Sequence, residues 1–379
     1  MNTTNNHSQN MSIENMPTSE PSLQGNVRVG PSSPRGNEEK PILTIIIPTY
    51  NMEKYLRHCL DSLIVPNMDK VEVLVINDGS KDSSSVIGHE YQDKYPQTFR
   101  VIDKENGNYG SCINRGLKEA TGKYLKVLDA DDSYDSRNFS VYIEKLEHID
   151  TDLILTDYDI VNEKGKITST YKYSDKTAIK PGSIISFTEF SKANPHHVGQ
   201  MHGFTYNRKV FEGLNYHQHE GISYTDVQWC YNPITHVDRV YYCPITVYKY
   251  LKGREGQTMQ NQGKHIKQVM MVLSDMIDFY EEGKWDKAKY DTYLTSMAKA
   301  QISVIYGNGL YEKSYPLDIL KGFDDALSKH PYFFDLSNTV TDHHVEIVKI
   351  WRNRDRQPMP LWISIYKLIR TIGRKVKNL

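Results

Sequence analysis

Cysteine is scarce, and none of it is arranged for chemistry. Cys59, Cys112, Cys230 and Cys243 form no CxxC pair and no metal-ligand spacing, so the chain offers no zinc site or disulfide framework to read. They are expected to be reduced, mostly buried thiols in a reducing compartment. No run of about 18 or more apolar residues occurs, so nothing reads as a membrane span. The first 40 residues lack an apolar h-region and a cationic start, and no secretory signal is visible. They are rich in Asn, Ser, Pro and Gly and too polar to offset their ordering entropy, so residues 1–40 are expected to be a disordered tail. An excess of one charge is also missing. A formal net charge of −1 over 379 residues points to no nucleic acid partner. GxGxxG and GxxxxGK[ST] are absent, which removes support for a dinucleotide site or a P-loop. The expected location is cytoplasmic, free or on the cytosolic side of a membrane.

What is present begins at Pro41. "ILTIIIP" (42–48) is a continuous β-branched run of the kind that forms a strand buried on both faces. "EKYLRHCLDSLI" follows at helical spacing, then the strand "VEVLVIND" and a weaker helix opened by a candidate cap, Asp82. "FRVID" is a third strand, "YGSCINRGLKEATG" a helix ending at Gly122, and "KYLKVLD" a fourth strand. This alternation predicts an α/β fold with a parallel, doubly wound sheet. In such sheets ligands bind beyond the carboxyl ends of the strands, and Thr49, Asp78 and Asp129–Asp132 fall there. After residue 150 the alternation decays. "DLILTDYDIV" reads as a strand, "NEKGK" as a hairpin turn, "QMHGFTYNRKVF" as a further strand, "YTDVQWCYNPI" as a short helix and "DRVYYCPITVYKYL" as one or two strands. Helices are expected over 264–282, 288–305, 316–329, 342–352 and 361–379.

"LDADD" (128–132) crowds three carboxylates at a strand end. Hard oxygen ligands suit Mg²⁺ or Mn²⁺, whose shells are commonly completed by water and phosphate. The other reading is a helix cap, with Asp131 or Asp132 capping a helix near 135–147. Asp78 in "VINDGSKD" reads either as a cap or as an acceptor for a base or ribose. "NGNYGS" (106–111) is a glycine-rich approach to a helix N-terminus, a place for phosphate.

Together, "IIIPTYNMEKYLRHCLDSL", "EVLVINDGSKDSS" and "ENGNYGSCINRGLKEATGKYLKVLDADD" resemble the family 2 glycosyltransferases of the GT-A fold, tightly over 41–160 and more loosely to about 260. The resemblance implies a Rossmann-like, mostly parallel sheet over 41–260, with a nucleotide-binding half (41–135) and an acceptor half (136–260). A helical region over 261–360 would follow. It also implies a UDP-sugar donor and inverting transfer of a hexose or N-acetylhexosamine to a hydroxyl of a glycan or lipid-linked acceptor. Pro48, Thr49, Tyr50, Asn51, Glu53, Asp78, Asn114, Asp129, Ala130 and Asp131 fall on the family's donor-binding motifs. Asp131 and Asp129 fall on its divalent metal motif. Its general base falls on Asp226, in "GISYTDVQWC", which otherwise reads as a cap. Gly253 and Arg254 stand where many relatives carry a histidine, and Arg254 reads as a diphosphate contact or an exposed loop charge.

His196, His197 and His202 match no zinc pattern and read as acceptor-pocket wall or polar core. Tyr224, Tyr231, Tyr241 and Tyr242 are read mostly as packing residues, with stacking on sugar rings the alternative. Residues 361–379 form a basic amphipathic helix, which reads either as a peripheral contact with an anionic membrane or as a packed helix with a solvated face. The expected function is synthesis of a bacterial-type surface polysaccharide or glycolipid. The alternative is a non-catalytic nucleotide-sugar-binding partner subunit.

Overall fold

The structure is a computed structural model that describes residues 40–175, 178–193, 199–254, 265–311, 316–342 and 345–358. The tail over 1–39, His196, His197 and the basic helix expected over 361–379 lie outside the described residues. In chain order the first elements are β1 (Leu43–Thr49), α1 (Leu56–Asp61), β2 (Val71–Asn77), α2 (Ser84–Lys94), β3 (Phe99–Asp103), α3 (Asn108–Glu119), β4 (Tyr124–Val127), β5 (Ser133–Tyr134) and α4 (Ser136–His148). Next come β6 (Leu153–Val161), β7 (Ile167–Tyr171), β8 (Ile184–Ser186), α5 (Phe187–Ala193), β9 (Phe204–Asn207), α6 (Asp226–Tyr231) and β10 (Arg239–Leu251). The last are α7 (Ile266–Glu282), α8 (Lys287–Tyr311), α9 (Leu317–Leu327), α10 (Pro331–Ser337), the short pair β11 (Thr341–Asp342) and β12 (Val345–Glu346), and α11 (Ile347–Arg352). Two compact units arise, one from residues 25–262 and 274–297, the other from the remainder of the chain. Among the described residues no helix is long and apolar enough to cross a membrane.

The first unit is built on one ten-stranded sheet with the path β3-β2-β1-β4-β9-β6-β10-β5. β1 and β2 are buried at every residue, as their unbroken apolar runs require when helices cover both faces. β1, β2, β3 and β4 are parallel neighbours, with Leu43 opposite Val71 and Tyr124. That register aligns the ends of three strands, so that "PTYN", "NDGS" and "DADD" leave the sheet at one edge. β9 then runs antiparallel between β4 and β6, while β10 pairs parallel with β6. Lys126, fully buried on β4, donates to the carbonyls of His202 (2.8 Å) and Phe204 (3.2 Å) at the head of β9. Burial pushes its pKa down to about 7. All four cysteines are buried and unpaired, with thiol pKa values raised chiefly by burial.

Several expectations need correction. α4 is capped by Asp135, whose side chain accepts the Asn138 N–H at 3.0 Å, so neither Asp131 nor Asp132 is the cap. α3 stops at Glu119, three residues before Gly122, because Ala120 turns extended and Gly122 passes tightly beside β1. A Cβ on Gly122 would lie 2.6 Å from the Thr44 nitrogen. The strand expected over 200–211 is four residues long, flanked by single helical turns at Met201–Gly203 and Arg208–Phe211. α10 was not expected: Pro331 at its first turn opens it. The hairpin turn at Gly165 is as read, with φ +71° there and β6 and β7 antiparallel on either side.

The second unit is helical. Arg352 organises its interior, donating to Asp324 at 2.6 Å and lying 3.7 Å from the Phe334 ring centroid, while Tyr306 donates to the same carboxylate at 2.5 Å.

Gly116 of α3 packs closely against Ile46 of β1, where an added Cβ would lie 2.5 Å from Ile46 Cγ2. Alanine normally gains up to about 1 kcal/mol over glycine in a helix. Ile46 is fully buried and β-branched, so it cannot rotate away, and overpacking costs about 1–3 kcal/mol. Gly116→Ala is therefore expected to lower the melting temperature, and a raised melting temperature would show that α3 lifts freely from the sheet.

Candidate active site

Three loops meet at the carboxyl edge of β1, β2 and β4. After β1, Asn51 adopts a left-handed conformation (φ +53°), which asparagine tolerates better than most residues. Its N–H donates to Ser80 Oγ and its side-chain oxygen accepts from the Lys81 N–H. Glu53 repeats the exchange with Asp82 and Ser83. Asn51 and Glu53 thus fasten the first loop to the second, and Asp82 also accepts from the Ser84 N–H. Pro48 and Thr49 are buried, with the Thr49 hydroxyl bonded back to Ile47. Tyr50 alone of this loop's aromatics stands clear, 45% exposed.

Asp78 is buried one residue past β2, with Oδ1 receiving Lys104 Nζ at 2.5 Å and the Gly107 N–H at 2.9 Å. Among the described residues nothing donates to Oδ2, which leaves a lone-pair face for a ligand N–H or hydroxyl. Lys104 was not singled out in the sequence. Its signal was its place directly after β3, at the same rim.

The DADD carboxylates have separate partners. Tyr109, in the first turn of α3, donates to Asp129 at 3.0 Å. Asp132 is fully enclosed and accepts from Tyr248 (2.6 Å) and the Leu251 N–H (2.6 Å). Asp131 pairs with Arg254 Nε at 2.5 Å, both side chains nearly buried, and the guanidinium lies 5.4 Å from the Tyr55 ring centroid. Arg254 is therefore part of the site and not an exposed loop charge. Ala130 is buried between them. Burial, then Asp131, pushes Asp129 and Asp132 well above the usual carboxylate range; Asp226 adds to the effect on Asp129, while Tyr109 and Arg254 oppose it. Crowding several acids around one arginine thus favours either proton uptake or a bound cation.

Asp226 opens α6. The residue is solvent-accessible yet hemmed in by protein, and this loss of solvation raises its carboxyl pKa against the pull of its own and the Val227 N–H. Its charge acts on Asp129 and Tyr109, which sets Asp226 near DADD although 94 residues separate Asp132 from Asp226 in the chain. Asn114, in contrast, spends its amide on Gln218 and Glu220. Tyr231 and Tyr242 are buried packing residues, while Tyr224 and Tyr241 are half-buried.

The atoms that converge as a ligand set belong to Asp129, Asp132 and His202, all within 4.8 Å of one another; Asp131, expected to ligate, is held by Arg254. His202 Nδ1 is buried with no hydrogen-bond partner among the described residues, and burial, aided by Lys126, pushes its pKa down to about 3. A neutral imidazole with an orphaned nitrogen beside two crowded carboxylates fits a divalent cation of the Mn²⁺ type.

Residues 44–214 match the family model described as Glycosyl transferase family 2. The Mycoplasma genitalium protein MG025, described as an uncharacterized glycosyltransferase, is 31% identical over 223 residues, covering 58% of this chain and 70% of that protein. Of the length of three other curated glycosyltransferases it matches, the chain spans 26%, 47% and 20%. Among solved structures, Staphylococcus aureus TarS 1–349 in complex with UDP-GlcNAc superposes with a TM-score of 0.57 at 18% identity, over 79% of this chain and 81% of that one. The mannosyltransferase PcManGT from Pyrobaculum calidifontis, in complex with GDP-Man and Mn²⁺, gives 0.50 at 17% identity, over 79% and 84%. With the mostly parallel sheet, the DADD rim and these likenesses in place, the chain belongs to glycosyltransferase family 2 and has the GT-A fold.

Proposed function

We propose that the protein is an inverting glycosyltransferase that moves a hexose or N-acetylhexosamine from a UDP-sugar to a hydroxyl of a glycan or lipid-linked acceptor. The observation that carries this reading is the hydrogen-bonded link from the DADD rim to the head of α6: Tyr109 of α3 bonds Asp129, Asn114 of the same helix bonds Gln218, and Gln218 bonds Thr225, next to Asp226. The free Oδ2 of Asp78 would accept from the base, and Tyr50 would offer its exposed ring to it. Arg254 would meet the diphosphate, on giving up Asp131. Asp226, with its pKa lifted by partial desolvation, would take the acceptor's proton as the hydroxyl attacks the anomeric carbon, and the bond to UDP breaks on the opposite side. Asp129, Asp132 and His202 would hold a divalent ion, with Asp131 available beside them, and such an ion when bound neutralises the leaving diphosphate. TarS and PcManGT were solved with UDP-GlcNAc and with GDP-Man and Mn²⁺, which supports a nucleotide-sugar donor and a metal here. A surface polysaccharide or glycolipid as product, and a peripheral membrane contact through the basic stripe of 361–379, are carried by the sequence pattern. A non-catalytic role as partner subunit has less support, since both the acidic rim and a candidate base are in place.

Asp226→Asn keeps the side chain's size but cannot take a proton. UDP affinity should stay near wild type while transfer falls at least about a hundredfold, close to 2.7 kcal/mol of transition-state stabilisation. Donor binding and transfer from a panel of UDP-sugars, measured on both proteins, check this; near-normal transfer by the variant would place the base elsewhere.

Mn²⁺ should raise the melting temperature of the wild-type protein, since a ligand at a hundred times its Kd contributes about 2.7 kcal/mol. Asp129→Asn should lose most of that increment while still unfolding cooperatively. A wild-type melting curve indifferent to Mn²⁺ would sink the metal role.

A further inference from the structure

α6 has six residues and its N-cap, Thr225, makes no side-chain cap bond, so the helix cannot by itself fix where Asp226 points. Its supports come from a short strap, Tyr216–Gly221. Gln218 is fully buried and donates to the Thr225 carbonyl (2.5 Å) and hydroxyl (3.1 Å), directly before Asp226. Gln228, two residues beyond Asp226, accepts the His219 N–H at 2.9 Å and donates to Asp275 of α7 at 3.1 Å. Asp275 in turn bonds His219 Nδ1 at 2.6 Å. These three residues close a ring around the head of α6.

The strap's other side is bonded to α3. Asn114 exchanges two hydrogen bonds with the Gln218 backbone, and the Gly221 N–H donates to the Gly107 carbonyl at 2.8 Å. The approach is close enough that a Cβ on Gly110 would lie 2.0 Å from the His219 carbonyl oxygen. Gly107 bonds Asp78 and Tyr109 bonds Asp129, so the strap joins the donor-side rim to the helix that carries the base.

We propose that Asp275 is a positioning residue for transfer: with His219 and Gln228 it holds the strap as a brace that sets Asp226 relative to the donor-side helix. The proposal rests on Asp226 being the base. Asp275 lies beyond residues 44–214, the span of the family match, so this support comes from the chain's own C-terminal helices. The bond to Asp275 raises the His219 pKa against partial burial, with Glu220 adding to it, which favours an imidazolium–carboxylate pair. The other titratable groups of the strap are Tyr216, whose pKa burial raises, and His217 and Glu220, 3.9 Å apart and exposed.

The test compares wild type, Asp275→Asn, Asp226→Asn and the double variant. UDP affinity, melting temperature and UDP release are measured with UDP-N-acetylglucosamine, or with whichever UDP-hexose turns over fastest, water serving as acceptor. Asp275→Asn is expected to keep UDP affinity and donor KM within about twofold and to lower kcat about tenfold, as slight misplacement of a reacting group does. Because Asp275 acts through Asp226, the double variant should be no slower than Asp226→Asn. A wild-type kcat per folded molecule with only a lowered melting temperature would overturn the proposal and leave a merely structural pair. Losses that multiply in the double variant would overturn it as well. Near-normal release by Asp226→Asn would instead sink the base assignment, and the proposal with it, whatever Asp275→Asn does. Should Asp275→Asn fail to melt cooperatively, His219→Gln, which keeps the backbone bond to Gln228, is measured in its place against the same outcomes.

Discussion

Like charge held close together at the edge of a buried sheet is the constraint around which this molecule is arranged. Asp129, Asp131 and Asp132 follow a strand with no exposed residue, where water is thin and mutual repulsion strong. The three acids are dealt with differently. Asp132 is fixed by Tyr248 and the Leu251 N–H while still converging with Asp129 and His202, and Asp131 is matched by Arg254. Asp129 is left with one phenol. The unequal treatment is informative: the carboxylate with the weakest internal compensation is the one on which the charge of Asp226 acts.

The sheet makes this gathering possible. Parallel strands in register deliver successive loops to one edge, so residues tens of positions apart need no further device to meet. The antiparallel insertion of β9 brings His202 to the same place. The long β10 then returns along β6 to supply Tyr248 on one side of DADD and Arg254 just past its end.

Much of this was legible because burial on both faces writes itself as unbroken apolar runs. β1, β2 and β3 are readable to within a residue or so, and the loops after β1, β2 and β4 meet at one edge of the sheet as their sequence suggests. Legibility fails where partners are distant in sequence and individually unremarkable. Lys104, Tyr109 and Tyr248 are ordinary residues whose roles depend on which carboxylate the fold sets beside them. Asp135 shows the same limit at short range: four acids lie within seven positions (129–135), and only the geometry of the turn decides which one caps α4. β9 was overextended because its apolar flanks, Met201 and Phe211, are buried in helical turns, and periodicity does not separate these from a short strand.

Lys126 has a consequence for how separable the two halves of the sheet are. Without β9, β4 would be an edge strand, and a lysine on an edge is a common guard against stray pairing. With β9 in place, the carbonyls of His202 and Phe204 are the amine's acceptors, and the charge-bearing group is enclosed. The same side chain that would keep a bare edge soluble is thus a tie between the two halves of the sheet.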